Sequence, residues 1–194
     1  MGRVAASHRL RSEHVGERQA EDWYQEPVSA TEALLRAESF QGMYVYDPAA
    51  GEGNVLNACA ARGITAFGSD IVKRTDSLRI TTPRDFLRCD PCKLGCTDAI
   101  ITNPPYRHAE AFVRMALKVT VHKVAILGRL AFLEGQRRGD LFDTTPLARV
   151  LVFRSRISMP PGGQGIEPKG GAVAYAWFVW RHGHVGPPTI GWLP

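Results

Sequence analysis

The segment DAIITNPPYRHAE, residues 98–110, constrains this chain more than any other stretch, because an apolar run suited to the middle of a sheet meets two adjacent prolines. Proline fixes φ and carries no N–H for a central ladder, so the strand must stop at or before Asn103. Asn103, Pro104, Pro105 and Tyr106 therefore sit at the carboxyl edge of a buried strand.

The surrounding pattern predicts an open α/β sheet. Ser29 or Thr31 can cap a helix carrying Ala33, Leu34, Leu35 and Ala37 and ending before Gly42. MYVYD reads as a strand, NVLNACAAR as a helix stopped at Gly63, and ITAFGSD as a second strand, which makes a βαβ unit. ITTPRDFL offers a short strand or edge segment, and DAIIT is the clearest buried strand. HAEAFVRMALKVT has helical spacing, and KVAILGRLAF is strand-like. ARVLVFRSRISM and AVAYAWFVWRHG flank PPGGQGIEPKGG, which is too rich in glycine and proline for a helix, so the two strands pair antiparallel.

With 194 residues and 44% hydrophobic composition, one domain can bury its own core. Residues 1–22 balance four Arg against four acids and read as a flexible arm, leaving 23–194 as a single domain. No apolar run is long enough to cross a membrane, and the amino terminus has no signal-peptide pattern. Cys89, Cys92 and Cys96 lack the second pair of a zinc site, so no metal is expected and the thiols read as free. These features point to a soluble, cytoplasmic protein with no membrane partner. The net charge of +5 favours a polyanionic partner.

DPAAGEGN sets Gly51 and Gly53 between a strand and a helix, where a ligand can approach backbone that has no β-carbon, although glycine turns also serve purely steric ends. Asp47 ends the first strand and Asp70 the second, where a carboxylate can accept both hydroxyls of a ribose. Asp47 and Glu52 flank the turn and disfavour a pyrophosphate. A ligand with an ammonium and a sulfonium suits these carboxylates better, and S-adenosyl-L-methionine has both.

The NPPY edge fits chemistry on an exocyclic amine, whose lone pair is delocalised into its ring. If the Asn103 side-chain oxygen and the Pro104 carbonyl each accept one N–H, the nitrogen is drawn toward tetrahedral geometry and its lone pair can face a methyl donor. Pro105 stiffens the turn, and Tyr106 offers a flat face to a base extracted from its helix.

DPAAGEG and NPPY, in this order, resemble the cofactor loop and catalytic motif of the S-adenosylmethionine-dependent N6-adenine DNA methyltransferases of the small phage or prophage type. YQEP resembles the segment that closes over the methionine moiety, and the later strands are similar as well. The resemblance implies a Rossmann-like class I methyltransferase with a mostly parallel seven-stranded sheet and one late antiparallel strand. It implies cofactor contacts from Glu26, Pro27, Asp47, Pro48, Ala49, Gly51 and Gly53, from Asp70 and Ile71 at the ribose, and from Asp85 and Phe86 at the adenine, with Asn103 shared between cofactor and substrate.

Glu26 departs from the family, where a small residue such as Thr often precedes the proline. There is also no separate target-recognition domain, so any site choice falls to loops 133–147 and 160–171. Six Arg between Arg129 and Arg156 stand against Glu134, Asp140 and Asp143, a net of +3 consistent with a phosphate-facing rim. DNA is the expected substrate. RNA adenine, a protein glutamine amide, or a non-catalytic nucleic-acid-binding role on the same fold are the alternatives.

Overall fold

Alternate residues of the central strands enter opposite helix layers, as a sheet buried on both faces requires. A computed structural model describes residues 23–94, 97–163, 171 and 173–194. The expected arm at 1–22, Cys96 and most of the 160–171 loop lie outside the described residues. The strands are β1 (Val45–Asp47), β2 (Ala66–Ser69), β3 (Ile80–Thr81), β4 (Thr97–Thr102), β5 (Thr120–Arg129), β6 (Leu147–Phe153), β7 (Tyr175–Arg181) and β8 (Thr189–Leu193). The helices are α1 (Val28–Ala37), α2 (Asn54–Ala60), α3 (Pro91–Leu94), α4 (Ala109–Val119) and α5 (Gly139–Thr144).

One sheet runs in the order β3-β2-β1-β4-β5-β7-β6-β8. Only β7 opposes its neighbours: it is antiparallel to β5 and β6, while the remaining pairs are parallel. The mostly parallel sheet with one late antiparallel strand is as expected, and so is the β6–β7 pairing. The described sheet has eight strands where seven were expected. The extra strand is β8, whose Ile190 and Trp192 face solvent, so it lacks the apolar run that marks a buried strand.

Ala99, Ile101, Ala125, Leu127, Trp177 and Val179 pack with α1 and α2, whereas Ile100, Val124, Ile126, Phe178 and Trp180 pack with α4. Buried indoles find partners: Trp177 Nε1 donates to the Ala30 carbonyl at 2.9 Å, and Trp180 Nε1 to Thr145 Oγ1 at 2.9 Å. The expected Ser29 or Thr31 cap does not form. Pro27 takes the N-cap position of α1 with φ −69° and no side-chain cap bond, and Thr31 points into the core. A proline already set at helix-entry φ starts the helix at Val28, two residues before a Ser29 cap would and four before a Thr31 cap would. Loop 133–147 holds the short 3₁₀ turn Gln136–Arg138 and α5, and the 3₁₀ turn Leu130–Leu133 leads into it.

Far from the prolines, at the amino edge of the parallel strands, Glu38 gathers three cations. It meets Lys123 Nζ at 3.1 Å, Arg149 Nη1 at 2.6 Å and Arg181 Nη2 at 3.3 Å. Burial works to raise its carboxyl, but hydrogen bonds from Arg149 and Lys123 prevail and hold it below the ordinary value. These contacts tie the end of α1 to β5, β6 and β7. Glu38→Ala is expected to cost about 2 kcal/mol or more, read from a urea midpoint, because the cations lose their shared partner. Arg181→Ala, at a half-exposed position, should cost under about 1 kcal/mol.

Candidate active site

The sheet reverses its winding between β1 and β4, which are hydrogen-bonded neighbours, and their carboxyl ends open a crevice of the kind that binds ligands in α/β folds. Asp47 closes β1 and Asn103 follows β4 directly. A cleft of about 390 Å³ lies there, within the range of small-molecule sites. Pro48, Ala49, Asp70, Ile71, Asp85 and Phe86 line it from the side of β1 and β2. Asn103, Pro104, Pro105 and Tyr106 line it from the β4 side. A recess lined by Glu26, Ala49, Gly51, Asn54 and Asn103 joins the same region. Pro27, Asp47 and Gly53 lie behind these walls: Pro27 begins α1, Asp47 is 1% exposed and Gly53 begins α2.

The turn between β1 and α2 needs its glycines. Gly51 has φ +52° and Gly53 φ +93°, and a β-carbon on Gly51 would lie 3.2 Å from Trp23 Nε1. Asp70 pins this turn. One carboxylate oxygen accepts the Gly51 N–H and the other the Val72 N–H, each at 2.9 Å, with Arg74 Nε 3.6 Å away. Carboxylate oxygens have two acceptor sites each, so a hydroxyl can still be received. Asp85 caps the 3₁₀ turn Phe86–Arg88 by accepting the Leu87 N–H at 3.1 Å, while the Phe86 ring belongs to the core as well as to the cleft wall.

Asn103 is fixed by the chain that precedes α1. Its Nδ2 donates to the Tyr24 carbonyl at 2.8 Å and to Glu26 Oε2 at 2.9 Å. Both donors are used, and Oδ1 remains buried without a hydrogen-bond partner. A buried acceptor left this way costs free energy unless a ligand donates to it. Segment 23–25 is itself strapped to the later chain: Gln25 N–H donates to the Pro160 carbonyl at 3.0 Å, and Gly162 N–H to the Trp23 carbonyl at 3.2 Å. Gln25 Nε2 also donates to Glu52 at 2.7 Å.

Tyr106 stacks on Tyr24 with ring centres 5.6 Å apart and planes 18° apart, and its hydroxyl donates to Tyr175 at 3.2 Å. Arg129 lies over the Tyr106 ring at 4.8 Å. A base stacking on the Tyr24 side must move that ring, since two faces holding a third ring between them stand about 7 Å apart, twice an ordinary van der Waals contact.

Among the arginines expected to form a rim between Arg129 and Arg156, several make contacts within the fold. Arg149 turns to Glu38, Arg154 lies over Trp192 and Arg138 over Phe132. Arg74, Arg84, Arg88 and Arg107 line the cleft, with His108 beside them. Sequence reasoning passed over these. The flanking arginines of PRDFLR and the Arg107 that follows NPPY were the available signals. Among the described residues no group of His, Cys, Asp and Glu could hold a metal, Cys59, Cys89 and Cys92 are free, and no helix is long and apolar enough to cross a membrane.

No protein-family model and no curated protein matches the sequence. The likeness is to solved structures. A modification subunit assigned to a type I restriction enzyme from Vibrio vulnificus YJ016 superposes with a TM-score of 0.59 at 15% identity, covering 86% of this chain and 45% of that one. A protein assigned as an RNA methyltransferase from Pyrococcus horikoshii gives 0.61 at 14% identity, covering 83% and 87%. The type I restriction enzyme EcoKI M protein gives 0.58 at 18% identity, covering 86% and 45%. The chain thus spans less than half the length of the two modification proteins. At these identities the likeness is one of fold, and the fold is that of the Rossmann-like class I methyltransferases.

Two carboxyls are buried side by side at the crevice. Burial raises Glu26 from 4.5 to about 7, only partly offset by the Asn103 hydrogen bond. Burial, and then the neighbouring Glu26, push Asp47 well above the ordinary value. An acid whose folded-state pKa exceeds its unfolded one supports the fold below the lower value and loses that support as pH climbs through the upper. From about pH 4 to about pH 8, the wild-type apoprotein should therefore lose ~3 kcal/mol of unfolding free energy relative to Glu26→Gln. Denaturant titrations of both proteins across this window check it, and parallel curves would contradict the burial of Glu26.

Proposed function

We propose that the protein transfers a methyl group from S-adenosyl-L-methionine to the exocyclic N6 amine of adenine in DNA. The observation that carries this reading is Asn103 Oδ1, a buried acceptor without a partner at the carboxyl end of β4, on an amide whose two N–H groups are already engaged. It needs a donor, and an aromatic amine supplies one. The cofactor fits the residues present: glycine backbone at Gly51 and Gly53 permits close approach, Asp70 stands at the end of β2 to receive a ribose, and Glu26 with Asp47 suits a cationic amino acid group.

The chain's own contribution is binding and orientation. Asn103 Oδ1 and the Pro104 carbonyl each accept one N–H of the amine, which removes lone-pair density from the ring and aims it across the crevice. Tyr106 stacks on the extracted base, with Tyr24 moving to admit it. Bound S-adenosyl-L-methionine would supply to that lone pair an electrophilic methyl, with its sulfur as the leaving group that keeps the bonding electrons. No strong base is required, since the nitrogen releases its proton after becoming cationic, and His108 needs no role in that step. The arginines along the cleft suit a phosphate backbone.

RNA adenine is the second reading. It is favoured by the likeness to the Pyrococcus horikoshii protein, 87% of whose length this chain covers. Incubation with labelled S-adenosyl-L-methionine and DNA, RNA and protein, followed by digestion and mass analysis, separates the acceptors. N6-methyldeoxyadenosine is the expected product, and label confined to RNA or to glutamine overturns the DNA reading. Asn103→Ala should lower transfer at least about 100-fold while the protein still binds cofactor, and an active variant would remove Asn103 from the chemistry.

A further inference from the structure

Glu26 lies 77 residues from Asn103 in the chain and touches it through Oε2. It is 8% exposed, and its neighbours come from several elements. Asp47 faces it from the end of β1, with Asp70 beyond at the end of β2 beside Arg74. Asn54 of α2 donates to its backbone carbonyl at 2.7 Å, Gln25 leads the adjacent contact to Glu52, and the Tyr106 phenol feels its charge. The recess it lines with Gly51 and Asn54 has about 10 Å³, room for about one water-sized group. That size matches an ammonium, not a ring.

Resting on the reading of Asn103 given above, we propose that Glu26 is a positioning residue whose ionised carboxylate locks the Asn103 amide with its oxygen toward the acceptor amine, and that the cofactor's α-ammonium is the cation that keeps it ionised. The logic is one of donors and acceptors. An ionised carboxylate can only accept, so Asn103 must turn Nδ2 toward it and Oδ1 away. A protonated Glu26 can donate to Oδ1, which leaves the Tyr24 carbonyl as the one group still opposing the flipped amide, the form that presents an N–H to an amine needing an acceptor. Before the cofactor arrives, burial beside Asp47 favours the protonated form. The arriving ammonium reverses that preference and expels a proton. Cofactor binding and readiness of the catalytic amide become one event, which a small residue before Pro27 could not couple.

The test uses S-adenosylhomocysteine, which keeps the ammonium and carries no reactive methyl. Calorimetric titration at about pH 6.5 in two buffers of different ionisation enthalpy gives the protons released on binding. Wild type should release more than Glu26→Gln by most of one proton per site, and a deaminated analogue of the ligand should abolish the difference. Equal release from both proteins overturns the proposal.

Single-turnover methylation at saturating cofactor supplies the second readout. Glu26→Gln should be slower by about tenfold and should lack the acid limb of the wild-type pH profile, whereas a merely structural role would leave that limb in place. An unchanged rate and profile also overturn the proposal. A wild type that binds S-adenosylhomocysteine but methylates nothing would sink the acceptor reading and leave the proton count to decide Glu26. A wild type that does not bind it sinks both.

Discussion

Everything at the crevice depends on where β4 is forced to stop. Its residues are buried on both faces, so the strand cannot slip by one position without exchanging Ile100 for Ala99 and Ile101 between the two helix layers. Pro104 and Pro105 then end the ladder at a fixed point. β1 is parallel to β4 with Val45 opposite Ala99 and Tyr46 opposite Ile100, so the ends of both strands are aligned and Asp47 and Asn103 come to the same edge. Register and proline together deliver an asparagine to the switch point of the sheet.

The segment before α1 completes the arrangement. Trp23 to Glu26 crosses the crevice and spends its carbonyl and carboxyl acceptors on Asn103, its aromatic ring on Tyr106 and its backbone on Pro160 and Gly162. The result is an amide held with Oδ1 as its unused acceptor. At the opposite edge, the Glu38 cluster holds α1 against β5, β6 and β7. α1 is therefore anchored at its carboxyl end, and the strap that leads into its amino end inherits a fixed position.

Much of this was legible in the chain. The alternation of helix and strand, the antiparallel pairing of β6 and β7, the glycine turn and the strand end at NPPY follow from local rules: proline's missing donor, glycine's access to positive φ and the period of two in a buried strand. The Ser29 or Thr31 cap misled because Pro27 supplies an equally good helix entry from its ring alone. β8 escaped notice because an edge strand with Ile190 and Trp192 turned to solvent carries little of the burial signal that marks β4.

The amino-acid sequence alone determined which groups stand at the ends of strands, since those are decided by neighbours one to four residues away. Only the tertiary structure decided how the groups are used. Arg149 went to Glu38 and away from any phosphate-facing rim, Arg129 went to the Tyr106 ring, and Glu26 went to Asn103. These partnerships join residues tens of positions apart, and hydrogen bonding and charge specify the chemistry of a partner without specifying its place in the chain. Folding selects among many eligible partners by geometry, and that geometry exists only once the sheet has set its register.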